Sequence, residues 1–376
     1  MKIALDSKRL FNNPTGLGNY SRTIAHNFLK FIPEADLYLC VPKIKKNRLN
    51  EQFLEDKRYK IIQKPKKSPF WRSYFILNDL KKQKIDLYHG LSNEIPLTIH
   101  QSGIKSVVTI HDLIFKIYPS TYKFIDRWIY DFKFKYACKH ADKIIAISAA
   151  TKQDIIKYYK IAPEKIEVVY QACLDIFYEN QEDNTAELDF KNLALPNNYM
   201  VYVGSVIPRK NVLQLLQAYK DIPQQQKIPL VIVGKGGEYY QKCIDFVSEN
   251  HLQEYVIFKN NIHSNAVLKL VYQYATLSVY PSVYEGFGLP VVESLLCGTP
   301  VITSSVSSMP EAGGNGALYS AHNDLASLTE NMQKLLANED LRKQLVQNGK
   351  QHIQQNFNRE KLSKQLNTIY QNLLNR

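Results

Sequence analysis

The chain has 376 residues, 45% of them hydrophobic, which is enough for two domains that each bury a full core. It carries 48 Lys and Arg residues against 35 Asp and Glu, a formal net charge of +13, so an anionic partner is expected. The sequence has no apolar run of about eighteen residues and no C-x-x-C pair among its five cysteines, which argues against a membrane-spanning helix, a zinc site and a disulfide framework, and fits a reducing cytoplasm.

The first half alternates short, β-rich apolar runs with amphipathic helical patterns, which predicts a parallel sheet with crossover helices. Its strand candidates are Lys2–Ser7, Leu37–Val41, Leu87–Leu91, Ser106–Ile110 and Lys143–Ser148. Helices are predicted over 19–31, 121–139 and 149–159, with Ser148 as the N-cap of the last.

A polar stretch near residues 175–198 interrupts the pattern and indicates a linker. The alternation then restarts, with strands predicted at Met200–Gly204, Leu230–Gly234, Val256–Phe258, Leu277–Tyr280 and Val301–Thr303. From about residue 324 the chain is predicted to be helical to its end. Two doubly wound domains would each present a ligand site at the carboxyl ends of their strands.

The strongest chemical pattern follows the predicted strand Leu277–Tyr280. There the sequence YPSVYEGFGLPVVE places Glu285 and Glu293 on either side of a glycine-rich turn and the start of a Pro-led helix. Pro290 suits the first helical turn, because its missing N–H is not needed there. The helix N-terminus favours phosphate, whereas carboxylates beside it favour sugar or ribose hydroxyls as partners.

This stretch resembles the E-x7-E motif of the retaining glycosyltransferases of family 4 (group 1), and the resemblance extends over nearly the whole chain. It implies the GT-B fold: α/β, with two Rossmann-like domains whose parallel sheets face a central cleft, and a C-terminal helix that crosses back to the first domain. The expected domains are 1–185 with the helix 359–376, for the acceptor, and 190–358, for the nucleotide-sugar donor.

The family's motif also assigns roles to individual residues. Its first Glu contacts the transferred sugar and its second Glu the ribose, which implies these roles for Glu285 and Glu293. The loop between them contributes four further expected donor contacts, namely Gly286, Phe287, Gly288 and Leu289.

A basic pair follows the predicted strand Met200–Gly204. The segment GSVIPRKN, which begins at Gly204, places Arg209 and Lys210 at the start of a helix for which Asn211 is the expected N-cap. Two cations there can neutralise a pyrophosphate. The segment resembles the family's G-x-x-x-x-R-K-N, whose basic pair holds the donor diphosphate, and the resemblance places Gly204 and Lys235 in the donor pocket.

Further candidates lie in the first half. Gly16 and Gly18 by themselves indicate a tight turn, but in the family the matching loop approaches the donor, so both are donor-binding candidates. The segment TIHD, which ends at Asp112, resembles the family's T-x-H-D; this implies a catalytic role for His111 beside the donor sugar and an acceptor-side role for Asp112. His89 and Glu94 are explained equally well by acceptor contact or by local structure.

The resemblance implies a retaining hexosyl transfer from a nucleotide sugar, such as GDP-mannose or a UDP-hexose, to a glycan or lipid-linked saccharide in bacterial polysaccharide and lipopolysaccharide assembly. No D-x-D motif is present, so no metal and no cofactor are expected, and Arg209 and Lys210 would supply the positive charge. Two alternatives stay open: a sugar-nucleotide epimerase of the same fold, which needs no acceptor site, and a catalytically silent protein that binds nucleotide sugar or membrane.

Residues 41–84 hold 14 basic and 4 acidic residues. Phe70 and Trp71 stand close to Lys66 and Lys67, a mixture typical of segments at a membrane interface. A solvated basic face explains the excess as well. Because no nucleic-acid-binding pattern is present, we favour an anionic membrane surface over nucleic acid and expect a cytoplasmic protein that can associate with the inner membrane face.

Overall fold

The computed structural model describes residues 1–65, 70–179 and 183–375. The chain divides into two compact units, Met1–Ala172 with Phe357–Arg376 and Cys173–Asn356. Each unit is built around one parallel sheet with helices on its faces, so the predicted α/β class is confirmed. Among the described residues, no helix is both long enough and apolar enough to cross a membrane.

The sheet of the first unit has the strand order β3-β2-β1-β4-β5-β6-β7. Its central strands are buried along nearly their whole length, because helices cover both faces of a parallel sheet. The strands are β1 (Lys2–Asp6), β2 (Asp36–Val41), β3 (Tyr59–Gln63), β4 (Leu87–Gly90), β5 (Lys105–Ile110), β6 (Lys143–Ala146) and β7 (Ile166–Val168).

The helices of this unit connect successive strands, and the oxygen of Ser148 caps one of them by accepting from the N–H of Thr151 at 3.0 Å, as predicted. A turn of π-helix, Trp71–Phe75, precedes the fourth helix. In chain order the helices are α1 (Lys8–Asn12), α2 (Gly16–Phe31), α3 (Gln52–Glu55), α4 (Ile76–Lys82), α5 (Ile114–Ile117), α6 (Phe124–His140) and α7 (Ala149–Tyr159).

The sheet of the second unit has the order β10-β9-β8-β11-β12-β13. Its strand order reverses between β8 and β11, the type of position at which open α/β sheets bind ligands beyond the carboxyl ends of their strands. The strands are β8 (Met200–Val203), β9 (Leu230–Val233), β10 (Val256–Lys259), β11 (Leu277–Tyr280), β12 (Val301–Ser304) and β13 (Ala317–Ser320).

The helices of the second unit follow the same alternation, and a short 3-10 turn, Pro208–Lys210, stands between β8 and the next helix. They are α8 (Asp175–Tyr178), α9 (Asn184–Lys191), α10 (Val212–Lys220), α11 (Glu238–Glu249), α12 (Asn265–Gln273), α13 (Leu289–Leu296), α14 (Met309–Gly313), α15 (Leu325–Ala337) and α16 (Glu339–Asn356).

The C-terminal helix α17 (Arg359–Leu374) belongs to the first unit and packs against α2, which confirms the predicted return of the chain. Its Tyr370 ring lies 5.5 Å from the ring of Phe28, measured between centroids. The side-chain amide of Gln365 donates to the carbonyl of Val168 at 2.9 Å. The last helix is therefore anchored to both a helix and the sheet edge of the first unit.

Three strands were not predicted from the sequence, namely β3, β7 and β13, and each is an edge strand of its sheet. The predicted linker near 175–198 is also corrected, because it contains the helices α8 and α9. Residues 180–182 of its polar stretch lie outside the described residues.

Candidate active site

A buried cluster of charged residues lies where β8 and β11 of the second unit end. Glu285, in the loop between β11 and α13, is 8% exposed. Its Oε1 atom lies 2.7 Å from Nη1 of Arg209 and 2.5 Å from Nζ of Lys210, both on the 3-10 turn after β8. The structure thus brings together three residues that the sequence predicts to act on the donor.

Each cation of this cluster is also held by a second partner. Arg209 donates from Nη1 to the carbonyl of Tyr284 at 2.5 Å. Lys210 donates to the hydroxyl of Tyr280, and its Nζ lies 4.8 Å from the centre of that ring. The two cations are therefore fixed in position before any ligand arrives.

The loop that carries Glu285 is fastened by two serines that the sequence analysis missed. The N–H of Glu285 donates to the hydroxyl of Ser307 at 3.0 Å. The hydroxyl of Ser308, which is buried, shares its one hydrogen between two carbonyl oxygens, that of Glu285 at 3.0 Å and that of Phe287 at 2.5 Å. The serines lie 22 and 23 residues after Glu285, so local sequence offers no signal for them.

The charge state of Glu285 follows from two opposing effects. Burial raises the pKa of a carboxyl group, but the nearby Lys210 and Arg209 cations outweigh it, and the net pKa of Glu285 is lowered. The side chain is therefore ionised at neutral pH. Arg209 and Lys210 place two cations beside this carboxylate, an arrangement that suits an anionic ligand such as a diphosphate.

The glycine-rich turn shapes the entry to α13. Gly286, Phe287 and Gly288 are buried, and Leu289 opens the helix. Gly288 has a φ of +133°, and a Cβ there would stand 2.5 Å from Cε of Met309. Only glycine combines that backbone conformation with the available space, so the turn depends on it.

Glu293 lies on α13 and is partly buried. Burial raises its pKa to about 7, although the hydroxyl of Tyr272, which donates to Oε2 at 3.3 Å, opposes the shift. At neutral pH this carboxyl is therefore divided between its neutral and charged forms. It can donate to or accept from a ribose hydroxyl.

Two further residues of the second unit were predicted to take part in the donor site, and Asn211 was predicted to cap the helix that follows the basic pair. Gly204 follows β8, with a φ of +151°, and its N–H donates to the carbonyl of Val233 at 2.9 Å. Lys235 follows β9 and is exposed. Asn211 occupies the N-cap position of α10, as predicted, but in left-handed geometry and without a side-chain capping bond. Its side-chain amide donates to Gln214 and to the carbonyl of His322 instead.

In the first unit, the two glycines at the start of α2 differ. A Cβ on Gly18 would stand 1.8 Å from the carbonyl oxygen of Asn13, so this glycine is required by the tight α1–α2 turn. Gly16 is exposed, and apart from its chain neighbours and the backbone of its own helix no described atom lies within 4 Å of the place where its Cβ would stand. That the donor closely approaches these glycines stays a prediction. Only Gly16 has open space beside it for such an approach.

His111 is buried after β5, and both of its ring nitrogens have partners within the first unit. Nε2–H donates to the carbonyl of Leu91 at 2.9 Å, and Nδ1 accepts from the amide of Gln171 at 3.2 Å. Burial lowers its pKa to about 4, so the ring is neutral at pH 7. A substrate hydroxyl would have to share or replace one of these bonds.

His89 belongs to a buried polar network. Its Nδ1 is hydrogen-bonded to the hydroxyl of Tyr370 at 2.5 Å and its Nε2 to the hydroxyl of Thr109 at 2.8 Å. Tyr20 is bonded to the same Thr109 hydroxyl at 2.9 Å. Because His89 is fully buried and burial lowers its pKa to about 3, the geometry favours local structure over acceptor contact.

Glu94 takes part in an ionic cluster at the carboxyl end of the first sheet. Arg72 forms a bidentate pair with the buried Asp6, the last residue of β1, and reaches Oε2 of Glu94 at 2.9 Å. Lys133 on α6 approaches the same Oε2 at 3.1 Å. The sequence analysis missed Asp6, Arg72 and Lys133, which come from three separate parts of the chain.

Asp112, the last predicted acceptor residue, accepts from the N–H of Ile114 at 3.0 Å and so helps to start α5. Among the described residues, no group of three or more His, Cys, Asp or Glu side chains is placed to hold a metal ion. The expectation of metal-independent chemistry stays a prediction.

Comparisons with known proteins match both parts of the chain to glycosyltransferase families. Residues 184–352 match the family model described as glycosyl transferases group 1, and residues 15–172 match that of glycosyltransferase family 4. Over 266 residues the chain is 27% identical to O-antigen chain mannosyltransferase B of Escherichia coli, covering 70% of this chain and 68% of that protein. Over 334 residues it is 26% identical to O-antigen chain mannosyltransferase RfbU of Salmonella typhimurium, covering 84% and 86%.

Solved structures show the same fold. A glycosyltransferase from Rickettsia africae superposes with a TM-score of 0.76 at 16% identity, covering 99% of this chain and 98% of that one. Anabaena Alr3699/HepE in complex with UDP gives 0.73 at 16% identity, covering 99% of both chains. WaaG, a glycosyltransferase involved in lipopolysaccharide biosynthesis, gives 0.69 at 18% identity, covering 98% and 99%. The predicted GT-B fold class is thereby confirmed.

Gly16 and Gly18, at the start of α2, allow a matched pair of alanine variants that test their different roles. We expect Gly18→Ala to lower the free energy of unfolding by at least about 2 kcal/mol, because its Cβ would collide with the Asn13 carbonyl. Gly16→Ala should leave it unchanged or raise it by up to about 1 kcal/mol, because alanine favours the helix. Urea unfolding of both variants measures this, and equal stabilities would contradict the assigned roles.

Glu293 makes the stability of the protein depend on pH. Its pKa rises from an ordinary 4.5 in the unfolded chain to about 7 in the folded one, so the folded state binds the proton more tightly. The free energy of unfolding should therefore fall as pH rises from about 4.5 to about 7, and then level off. Glu293→Gln should match the parent at pH 5 and exceed it at pH 8 by about 2–3 kcal/mol. Parallel pH profiles of the two proteins would refute this.

Proposed function

This chain belongs to the group 1 and family 4 glycosyltransferases, and we propose that it transfers a hexosyl group from a nucleotide sugar to a saccharide acceptor in bacterial surface polysaccharide assembly. The observation that carries the proposal is the buried cluster of Arg209, Lys210 and Glu285. It holds two cations for a diphosphate and, next to them, a carboxylate for sugar hydroxyls.

The donor sugar in this proposal is of the mannose or glucose type. Relatives named O-antigen chain mannosyltransferases support mannose, and with it GDP-mannose as the donor. Anabaena Alr3699/HepE, whose fold is similar, was solved with UDP and glucose, which keeps a UDP-hexose as the second candidate. The acceptor is a glycan or lipid-linked saccharide of O-antigen or lipopolysaccharide type, as the names of the relatives suggest.

Donor binding would proceed by an exchange of ion-pair partners. Without ligand, the Glu285 carboxylate is paired with both cations. A diphosphate brings more negative charge and more acceptor atoms than one carboxylate, so it displaces Glu285 from Arg209 and Lys210. The released carboxylate then accepts hydrogen bonds from hydroxyls of the transferred sugar. Glu293 accepts from the ribose in the same way.

The transfer step would proceed on one face of the sugar with retention of configuration. The bond from the anomeric carbon to the diphosphate oxygen breaks, and a bond from that carbon to the acceptor oxygen forms. The proton of the acceptor hydroxyl passes to the departing phosphate oxygen. Arg209 and Lys210 stabilise the charge that develops on the leaving diphosphate, and no metal is required in this scheme. A covalent glycosyl-enzyme detected on a carboxylate during turnover would refute it.

The proposal includes a cytoplasmic location at the inner membrane face. The basic segment 41–84 supports an anionic membrane partner, since its described lysines Lys43, Lys45 and Lys46 are exposed. Lys66 and Lys67 of that segment lie outside the described residues.

Nucleotide binding tests the proposal directly. Stabilisation of the protein by GDP, UDP and their sugar conjugates is measured by thermal unfolding, with and without magnesium. We expect one nucleotide family to stabilise the protein equally in both conditions. Lys210→Ala should bind the diphosphate about ten- to a hundredfold more weakly, because a charge-assisted bond is lost, while its affinity for the monophosphate stays the same.

Lys242→Ala serves as the matched control, because Lys242 is an exposed lysine on α11 of the same unit. Unchanged diphosphate affinity in Lys210→Ala would show that the diphosphate binds elsewhere. No stabilisation by any nucleotide would favour a silent protein or an unusual donor. Conversion of the nucleotide sugar without an acceptor would favour an epimerase.

A further inference from the structure

The helix α6 presents large apolar side chains to solvent along one face. Phe124 is 76% exposed and Trp128 66%, and the neighbouring positions Ile125, Ile129 and Phe132 are exposed as well. The rings of Trp128 and Phe132 stack with centroids 6.3 Å apart. The opposite face of the same helix packs into the core of the first unit through residues such as Phe134, Ala137 and Cys138.

A second exposed aromatic group lies on a segment that hydrogen bonds and ion pairs link to this helix. Phe70, Tyr74 and Phe75 are all exposed at the turn of π-helix before α4. Two short links join the segments: the N–H of Leu97 donates to the carbonyl of Ser73 at 2.7 Å, and the N–H of Thr98 donates to the hydroxyl of Tyr136 on α6 at 2.9 Å.

The ionic cluster described above holds the same two segments together. Glu94 binds Arg72 from the π-helical turn and Lys133 from α6. The eight exposed side chains therefore belong to neighbouring segments of one unit. We call them the aromatic surface: Phe70, Tyr74, Phe75, Phe124, Ile125, Trp128, Ile129 and Phe132.

The charges near the aromatic surface favour an anionic occupant. Lys135 and Lys139 are exposed on α6, at helical positions that share the face of Trp128 and Phe132. Of the two acidic residues on this helix, Asp131 is paired with Lys116 at 2.6 Å, whereas Asp126 lies away from that face. The exposed face therefore combines aromatic rings with two lysines that form no ion pair with any residue of the described ranges.

We propose that the aromatic surface docks the protein on an anionic lipid bilayer, with α6 lying in the plane of the interface. Rings of Trp128, Phe124 and Phe132 then enter the boundary between headgroups and acyl chains, where aromatic side chains are favoured. Lys135 and Lys139 reach lipid phosphates. A second copy of this chain fits less well, because a two-fold contact would bring the same lysines together at its centre, where charged residues are depleted.

The surface adjoins the part of the first unit that is expected to receive an acceptor. The chain of contacts from α6 through Lys133, Glu94 and Arg72 ends at Asp6, at the carboxyl end of β1. Ligands of open α/β sheets bind at this end of the strands. Docking would thus bring a lipid-linked saccharide to that edge. This last step rests on the proposed acceptor, whereas the docking itself does not depend on transfer activity.

Tryptophan fluorescence tests the docking, because the chain has two tryptophans in opposite environments. Trp128 is 66% exposed and Trp71 only 2%, so a change on vesicle addition reports Trp128. With the full chain and vesicles of phosphatidylglycerol and phosphatidylcholine in equal parts, we expect a blue shift and quenching by brominated acyl chains. Trp128→Phe should still co-sediment with the vesicles but lose both signals.

Removing apolar area separates insertion from simple charge attraction. The double variant Phe124→Ser with Phe132→Ser should bind the vesicles at least about tenfold more weakly, because two large apolar side chains no longer enter the interface. Tyr274→Ser is the matched control, since Tyr274 is an exposed aromatic residue of the second unit. It should bind like the parent, and all variants should keep the parent's nucleotide affinity.

Three results would overturn the inference. Vesicle binding without any change in Trp128 emission would show that the aromatic surface does not enter the bilayer, and it would favour the basic segment 41–84 as the membrane contact. A dimer by light scattering that the double variant abolishes, with no vesicle binding, would make a second copy the occupant. No binding to anionic vesicles at low salt would refute docking altogether. None of these results depends on nucleotide binding, so each is distinct from a failure of the proposed function.

Discussion

The site depends on one constraint: the Glu285 carboxylate is nearly buried, and Arg209 and Lys210 compensate its charge. Removing a carboxylate from water is strongly unfavourable unless cations and hydrogen bonds replace its hydration. Here two cations come from the turn after β8, and Ser307 and Ser308 fasten the loop that carries the carboxylate. The same arrangement that keeps Glu285 ionised also keeps two cations where a diphosphate would bind.

Much of the fold could be predicted, because buried parallel strands produce apolar runs that stand out between helical patterns. The strands that were missed, β3, β7 and β13, are edge strands. The sequence of β3 and β7 gives only a weak strand pattern, because their apolar runs are short and contain polar residues. These residues are exposed or half-exposed: Lys60, Gln63 and Glu167. The helices α8 and α9 were hidden by a polar composition that favours a linker.

Of the candidate site, the sequence reveals the residues of the donor loops but not their partners. Glu285, Arg209 and Lys210 could be named because their motifs are local. Tyr280, Ser307 and Ser308 support them through tertiary contacts that no spacing predicts. His89 shows the same limit: its two hydrogen-bond partners lie 281 and 20 residues away, and only the folded chain reveals its burial.

The central claim is that a donor diphosphate replaces Glu285 as the partner of Arg209 and Lys210. Calorimetric titration of Glu285→Gln with the preferred nucleoside diphosphate tests it most directly. The amide cannot compensate the two cations, so we predict that the variant binds the diphosphate at least about tenfold more tightly than the parent, while its transfer activity falls. Weaker diphosphate binding in Glu285→Gln would contradict the exchange of partners, because the carboxylate would then assist the diphosphate instead of competing with it.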